Sequence, residues 1–220
     1  MIRRDFIIRS MQQLGEVVAR VLRLRERGDY DEALVLLDAA CRQMLGLNGK
    51  LLDSLSTDDL LSMLSVGQTL DLDKCILLAE LLSEQGDVYE AQGRTGASYD
   101  SHVKALDVWV YAYLSYDHPY LEERRPAIEA LLERLEPQGL PADTELNLAD
   151  YFERTGRYAK AEDLLFHLME DDPDDEELHQ EGFAFYARLL ARSDSDLEVG
   201  NLPRDEVEEG LTRLRRLHEE

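Results

Sequence analysis

Apolar residues in this chain recur at spacings of three and four. Ile7, Met11, Leu14, Val18 and Val21 form one seam, the stripe expected of a packed helix over about 3–27. The pattern stops at Gly28 and Asp29 and restarts at Tyr30. Ala33, Leu34, Leu37, Cys41 and Met44 then predict the buried face of a second helix. "GLNGK" breaks that face. Residues 50–71 read as a connector with one short helix near 56–66. Ser56 or Thr57 caps it, and Asp58 and Asp59 fill its first turn, where carboxylates meet the positive end of the helix dipole. Asp71 or Asp73 caps the next helix, which reaches about 92 with Cys75, Leu78, Leu82 and Tyr89 on its core face. "GRTG" turns the chain into a helix over about 97–115. Further helices are predicted near 121–136, 142–155, 158–171 and 175–192. "SDSDLEVGNLP" reads as a loop, and Pro203 as the start of a last helix. No strand is predicted. The chain is expected to be all-α, with about ten helices.

Gly28, Gly93 and Gly156 lie 65 and 63 residues apart, close to twice a helix-turn-helix unit of about 34 residues. Ala149 and Phe152 stand seven and four residues before Gly156. Tyr158 and Ala161 stand two and five after it, followed by Leu165, Leu168 and Pro173. A small residue lets two antiparallel helices approach. Aromatics fill the flank, glycine makes the turn, and proline stops the second helix. This pattern resembles the tetratricopeptide repeat. A first unit shares it in Gly28, Asp29, Tyr30, Ala33, Leu37 and Ala40. A second shares it in Leu82, Gly86, Tyr89, Gly93 and Ala105. The second departs at Ser98 and His102, where a small residue and a large apolar one are usual. A fourth unit, about 176–219, keeps Tyr186 but carries a long loop. "MIRRDFIIR" together with "GRYAKAEDLLF" is also similar to a bacterial family of tetratricopeptide-like proteins of uncharacterised function. The resemblance implies a single domain over 1–220, a short right-handed solenoid. Its hairpins fall near 3–47, 79–115, 142–173 and 175–219, with connector helices near 56–66 and 121–136.

Charge narrows the possible partners. The chain of 220 residues is 44% apolar, enough for a sizeable core, and carries a net charge of −23. Such a charge repels phosphate backbones, so nucleic acid is not an expected partner. Residues 1–27 differ: seven arginines against three acids give 7 − 3 = +4, leaving −27 for the rest. Arg3, Arg4 and Arg9 could lie against acids of the same chain or of a second copy, making a homodimer possible. An anionic membrane surface is the alternative, but the apolar seam of this helix favours packing. No apolar run approaches a membrane span, and Cys41 and Cys75 make no disulfide framework. A reduced cytoplasmic setting is expected.

No motif points to catalysis, a metal or a cofactor. His102, His118, His167, His179 and His218 form no zinc-type cluster. His102 is expected to be half-buried and the other four exposed. Cys41 and Cys75 read as structural thiols. "DDPDDEE" lacks calcium-loop spacing and reads as a turn whose acids cap the next helix. Trp109, Tyr113, Tyr116 and Tyr120 share one stripe if their helix persists. They form either core or an aromatic patch for a partner. The repeat resemblance implies that the first helix of each hairpin lines a concave groove. Glu80, Ser83, Asp87 and Glu90 would point there, with Asp143, Asn147, Asp150 and Glu153, and then Glu177, Gln180 and Glu181. The expected function is therefore a protein- or peptide-binding scaffold with an acidic concave face and no catalytic activity, suited to a basic partner. The alternatives are a self-assembling homo-oligomer, or a small-molecule binder or enzyme built on the helix at 97–116.

Overall fold

The computed structural model describes the backbone of residues 2–65 and 71–219 and the side chains of residues 10–65 and 71–218. The side chains of Arg3, Arg4, Ile7 and Arg9 lie outside the described residues, as does the expected end of the connector helix at 66. Among the described residues there are twelve α-helices, one 3-10 turn and no strand. They group into two compact units, Met1–Gly139 and Leu140–Glu220.

The first unit holds α1 (Ile2–Arg27), α2 (Tyr30–Leu45), α3 (Gly49–Ser54), α4 (Thr57–Leu64), α5 (Leu72–Ala91), α6 (Thr95–Ser115) and α7 (Pro119–Leu135), ending in a 3-10 turn at Glu136–Gln138. The second holds α8 (Ala142–Arg154), α9 (Tyr158–Asp171), α10 (Glu176–Leu190), α11 (Asp194–Val199) and α12 (Arg204–Glu219). Two six-residue helices account for the difference between ten and twelve. Asn48 caps α3 by accepting from Leu51 N, after the left-handed Gly46 has closed α2. Ser193 caps α11 by accepting from Asp196 N, and Leu197 is fully buried. The stretch expected to be a loop is therefore a capped, anchored turn of helix. Pro203 precedes α12 rather than opening it, and its carbonyl accepts from Val207 N.

Three helix ends repeat one geometry. Gly28, Gly93 and Gly156 have φ of +79°, +75° and +73°. Each glycine N–H donates three residues back, to Arg25, Glu90 and Glu153, and the next N–H donates five back, to Leu24, Tyr89 and Phe152. This paired closure satisfies two terminal carbonyls and needs a left-handed residue, which glycine adopts without Cβ strain. The next helix starts two residues after each glycine. Five residues after each one stand Ala33, Ser98 and Ala161, and nine after stand Leu37, His102 and Leu165; all six are buried. Ser98 and His102, the departures from the repeat pattern, thus occupy the same packed positions as their apolar counterparts.

Their fit has a local cause. A Cβ on Gly86 would come within 2.5 Å of the His102 ring, so the bare backbone of α5 makes room for a polar ring on α6. α5 is buried on nearly every side: Ile76, Leu77, Ala79, Leu81 and Val88 join the expected Cys75, Leu78, Leu82 and Tyr89. The expectation of a single core face is corrected, because α1, α2, α4 and α6 all pack on α5.

Substituting Ala161, which is fully buried at the approach of α8 and α9, tests the hairpin. Ala161→Leu is expected to overpack the contact and cost roughly 1–3 kcal/mol, read as a lower midpoint in denaturant unfolding. An unchanged midpoint would contradict this packing.

Candidate functional site

α5 presents Glu80, Glu84 and Asp87 at intervals of four and three, one face of the helix. Asp87 is the centre. Arg25 of α1 donates to its Oδ2 at 2.6 Å, and Arg134 of α7 donates to its Oδ1 at 2.5 Å. His102 Nε2 lies 3.2 Å from the same Oδ1, and Ser98 Oγ lies 3.3 Å from His102 Nδ1. Arg134 Nη1 also lies 3.0 Å from His102 Nε2, so either tautomer partners both ring nitrogens: Nε2 donates to Asp87 while Nδ1 accepts from Ser98, or Nε2 accepts from Arg134 while Nδ1 donates to Ser98. Burial acts to raise Asp87, but its bonds from His102, Arg134 and Arg25 prevail and hold the carboxyl well below the usual range. Arg124 pairs with Glu80 at 2.5 Å, and Arg134 also reaches Glu90 at 3.3 Å.

Glu84 is the exception in this group. Its Oε2 is buried and accepts no hydrogen bond among the described residues. Burial and then the charges of Asp87 and Glu80 push its carboxyl up to about 7, against the pull of Arg25. Beside this network an open cleft of about 160 Å³ is lined by Ser83, Asp87, His102, Trp109, Leu131 and Arg134, among others.

The expected open acidic face therefore does not hold for Glu80 and Asp87, and holds only partly for Glu90: arginines of the same chain engage all three. Arg25 of the basic first helix pairs within the chain, while Arg3, Arg4 and Arg9, the residues expected to pair, lie outside the residues with described side chains. Glu153 is engaged too. Arg188 of α10 donates to it from Nε at 2.8 Å and from Nη2 at 2.7 Å, and also reaches Glu181 at 2.8 Å. Asp143 and Asp150 on α8 have no ion-pair partner among the described residues. Partial desolvation, then Glu181 and Glu153, push the Asp150 carboxyl up, and Arg188 opposes them.

The aromatic stripe divides: its first half is core, and Tyr116 and Tyr120 are half-buried. Trp109 and Tyr113 are buried, and the Tyr113 hydroxyl donates to Glu122. α6 ends at Ser115, so Tyr116 follows the helix instead of continuing the stripe. His102 is fully buried rather than half-buried. His179, expected at the surface, is also buried, with its Nδ1 3.1 Å from His218 Nδ1. The thiols of Cys41 and Cys75 are buried and free, each pushed up to about 12, chiefly by burial. The acids of "DDPDDEE" act as a cap: Asp175 accepts from Glu177 N and Leu178 N. Among the described residues, no helix is long and apolar enough to cross a membrane.

Comparison with known sequences then places the chain. It matches a family of unknown function, DUF6483, over residues 1–219. The chain belongs to that family. No curated protein and no solved structure matches it. For DUF6483 this chain thus supplies an all-helical architecture with a charged network centred on Asp87.

Asp87 and Glu84 should respond to pH with opposite sign. A depressed carboxyl stabilises the fold above its ordinary value and loses that contribution as pH falls through the folded value. Asp87→Asn is expected to cost roughly 2–3 kcal/mol at pH 7, since it strands two arginines and a buried imidazole. A raised carboxyl stabilises when protonated and loses that contribution as pH rises from the ordinary carboxylate value to about 7. Glu84→Gln should therefore raise the unfolding midpoint at pH 8 and leave it nearly unchanged at pH 4. Urea unfolding at the two pH values separates these outcomes. A destabilised Glu84→Gln at pH 8 would contradict the stranded-carboxyl reading.

Proposed function

We propose that this protein is a tetratricopeptide-like binding scaffold without catalytic activity of its own, and that the α8–α10 face takes a basic segment of another protein. Support for the repeat reading comes from the three matching glycine closures and the equivalent buried positions around them. Support for the binding face comes from charge that the chain leaves unanswered. The second unit carries 23 carboxylates against nine lysines and arginines, 9 − 23 = −14. Asp143, Leu146, Asn147 and Asp150 follow one face of α8, and Leu146 is exposed there. Crowding at Asp150 is the observation that carries the reading. Its carboxyl is raised first by burial and then by Glu181 and Glu153, with Arg188 opposing, and a partner's cation would offset that crowding. Leu146 gives an apolar contact between the acids. An amphipathic peptide alternating lysine or arginine with leucine matches this surface.

Such a peptide, labelled and followed by fluorescence anisotropy, tests the proposal. Binding should be measurable at about 0.05 M salt and weaken at about 0.5 M, because screening acts on exposed charges. Asp143→Asn, Asp150→Asn and Glu181→Gln combined should reduce affinity roughly tenfold or more. The same triple variant should stay folded with a melting midpoint near the wild type, since loss of the Arg188–Glu181 bond is offset by the repulsion relieved at Asp150. Unchanged peptide affinity in a folded triple variant would refute this assignment of the face.

A further inference from the structure

An amide and a phenol are buried on α5 among hydrocarbon side chains. Gln85 and Tyr89, one turn apart, are each 6% exposed. Gln85 Nε2 uses both its protons, donating to Asp53 Oδ1 at 2.9 Å and to the Tyr89 hydroxyl at 3.1 Å. Tyr89 oxygen thus accepts, while its own proton has no acceptor among the described residues. A buried donor in that condition is costly and calls for a partner.

Both residues line an open cleft of about 250 Å³ between α2, α3 and α5. Leu34, Leu37 and Leu52 form apolar walls, and Asp38 and Asp53 supply carboxylates. No lysine or arginine lines it. Both Asp38 oxygens are engaged, Oδ1 by Gly49 N at 2.6 Å and Oδ2 by Arg42, which is itself 64% exposed, while Lys104 donates to the backbone carbonyls of Leu52 and Asp53. The thiol of Cys41 in the cleft lining is raised by burial and then by Asp38. A thiol so held is protonated and inert, so the cleft is suited to reversible binding and not to covalent chemistry.

We propose that this cleft binds a small molecule with a primary ammonium at one end, a short apolar stem, and an oxygen acceptor at the other end. The ammonium goes to the Asp53 carboxylate, which among the described residues is engaged only at Oδ1, the stem lies on the three leucines, and the oxygen accepts the Tyr89 proton. At roughly 30 Å³ per small group, the cleft holds about eight non-hydrogen atoms. A stem of about five carbons fits. This site is independent of the α8–α10 face and does not rest on it.

The probe is 5-aminopentan-1-ol, titrated into the full chain and followed by amide chemical shifts. Saturable shifts confined to α2, α3 and α5 are expected. Pentan-1-ol, which lacks the charge, should bind roughly tenfold more weakly or worse. Tyr89→Phe should weaken the amino alcohol by several-fold and leave pentylammonium unaffected, since pentylammonium has no oxygen for Tyr89. Val35 stands at the rim and is 68% exposed, so Val35→Trp should fold normally and block the mouth. Equal binding of pentan-1-ol and the amino alcohol would overturn the proposal. So would undiminished binding to Val35→Trp, or shifts that never saturate.

Discussion

A helix closed by a left-handed glycine and reopened two residues later has little choice of direction. The chain must double back, and the first buried positions of the new helix face the last turns of the old one. At Gly28, Gly93 and Gly156 the residue five places on must then be small, because two backbones approach there. Ala33 and Ala161 meet that requirement directly. Ser98 meets it with a hydroxyl, and the polar atom is satisfied by His102 one turn later. His102 in turn needs the missing side chain of Gly86. The second hairpin thus trades an apolar contact for a hydrogen-bonded one while keeping the geometry of the other two.

That exchange explains the charged network. A buried imidazole needs a partner for each nitrogen, and Asp87 supplies one. A half-buried carboxylate needs more than one donor, and Arg25 and Arg134 supply them from α1 and α7. One side chain thereby ties four helices. Cationic residues in an acidic protein are accordingly structural here: Arg25, Arg124 and Arg134 neutralise carboxylates that would otherwise repel one another. Glu84 lies outside that provision, with an oxygen that has no partner among the described residues. In the second unit Arg188 does similar work for Glu153 and Glu181, but Asp143 and Asp150 are left to solvent. The division between answered and unanswered carboxylates is what separates framework from candidate surface.

Much of the helical layout was legible in the sequence. The caps at Ser56, Asp71 and Asp175 are short-range chemistry, and each lies where its residue type and position implied. Two helices were not legible. Gly49–Ser54 and Asp194–Val199 are each six residues long, too short to display a period. The all-round burial of α5 was hidden for a different reason: a helix surrounded by neighbours has no polar face to reveal its orientation. The candidate site was legible only as a stripe of acids. Glu84 sits in that stripe, four residues after Glu80 and three before Asp87, so its crowding could have been read from spacing alone.

The sequence by itself determined the longer helices, their caps and glycine closures, and the small residues packed beside those closures, because these depend on neighbours within a turn or two. Tertiary structure decided which charges are free. Arg25 and Arg134 lie 62 and 47 residues from Asp87 along the chain, and Arg188 lies 35 from Glu153. No local pattern couples positions so far apart. Only the tertiary arrangement brings each arginine within hydrogen-bond reach of its carboxylate, and so pairs much of an apparent acidic surface within the chain.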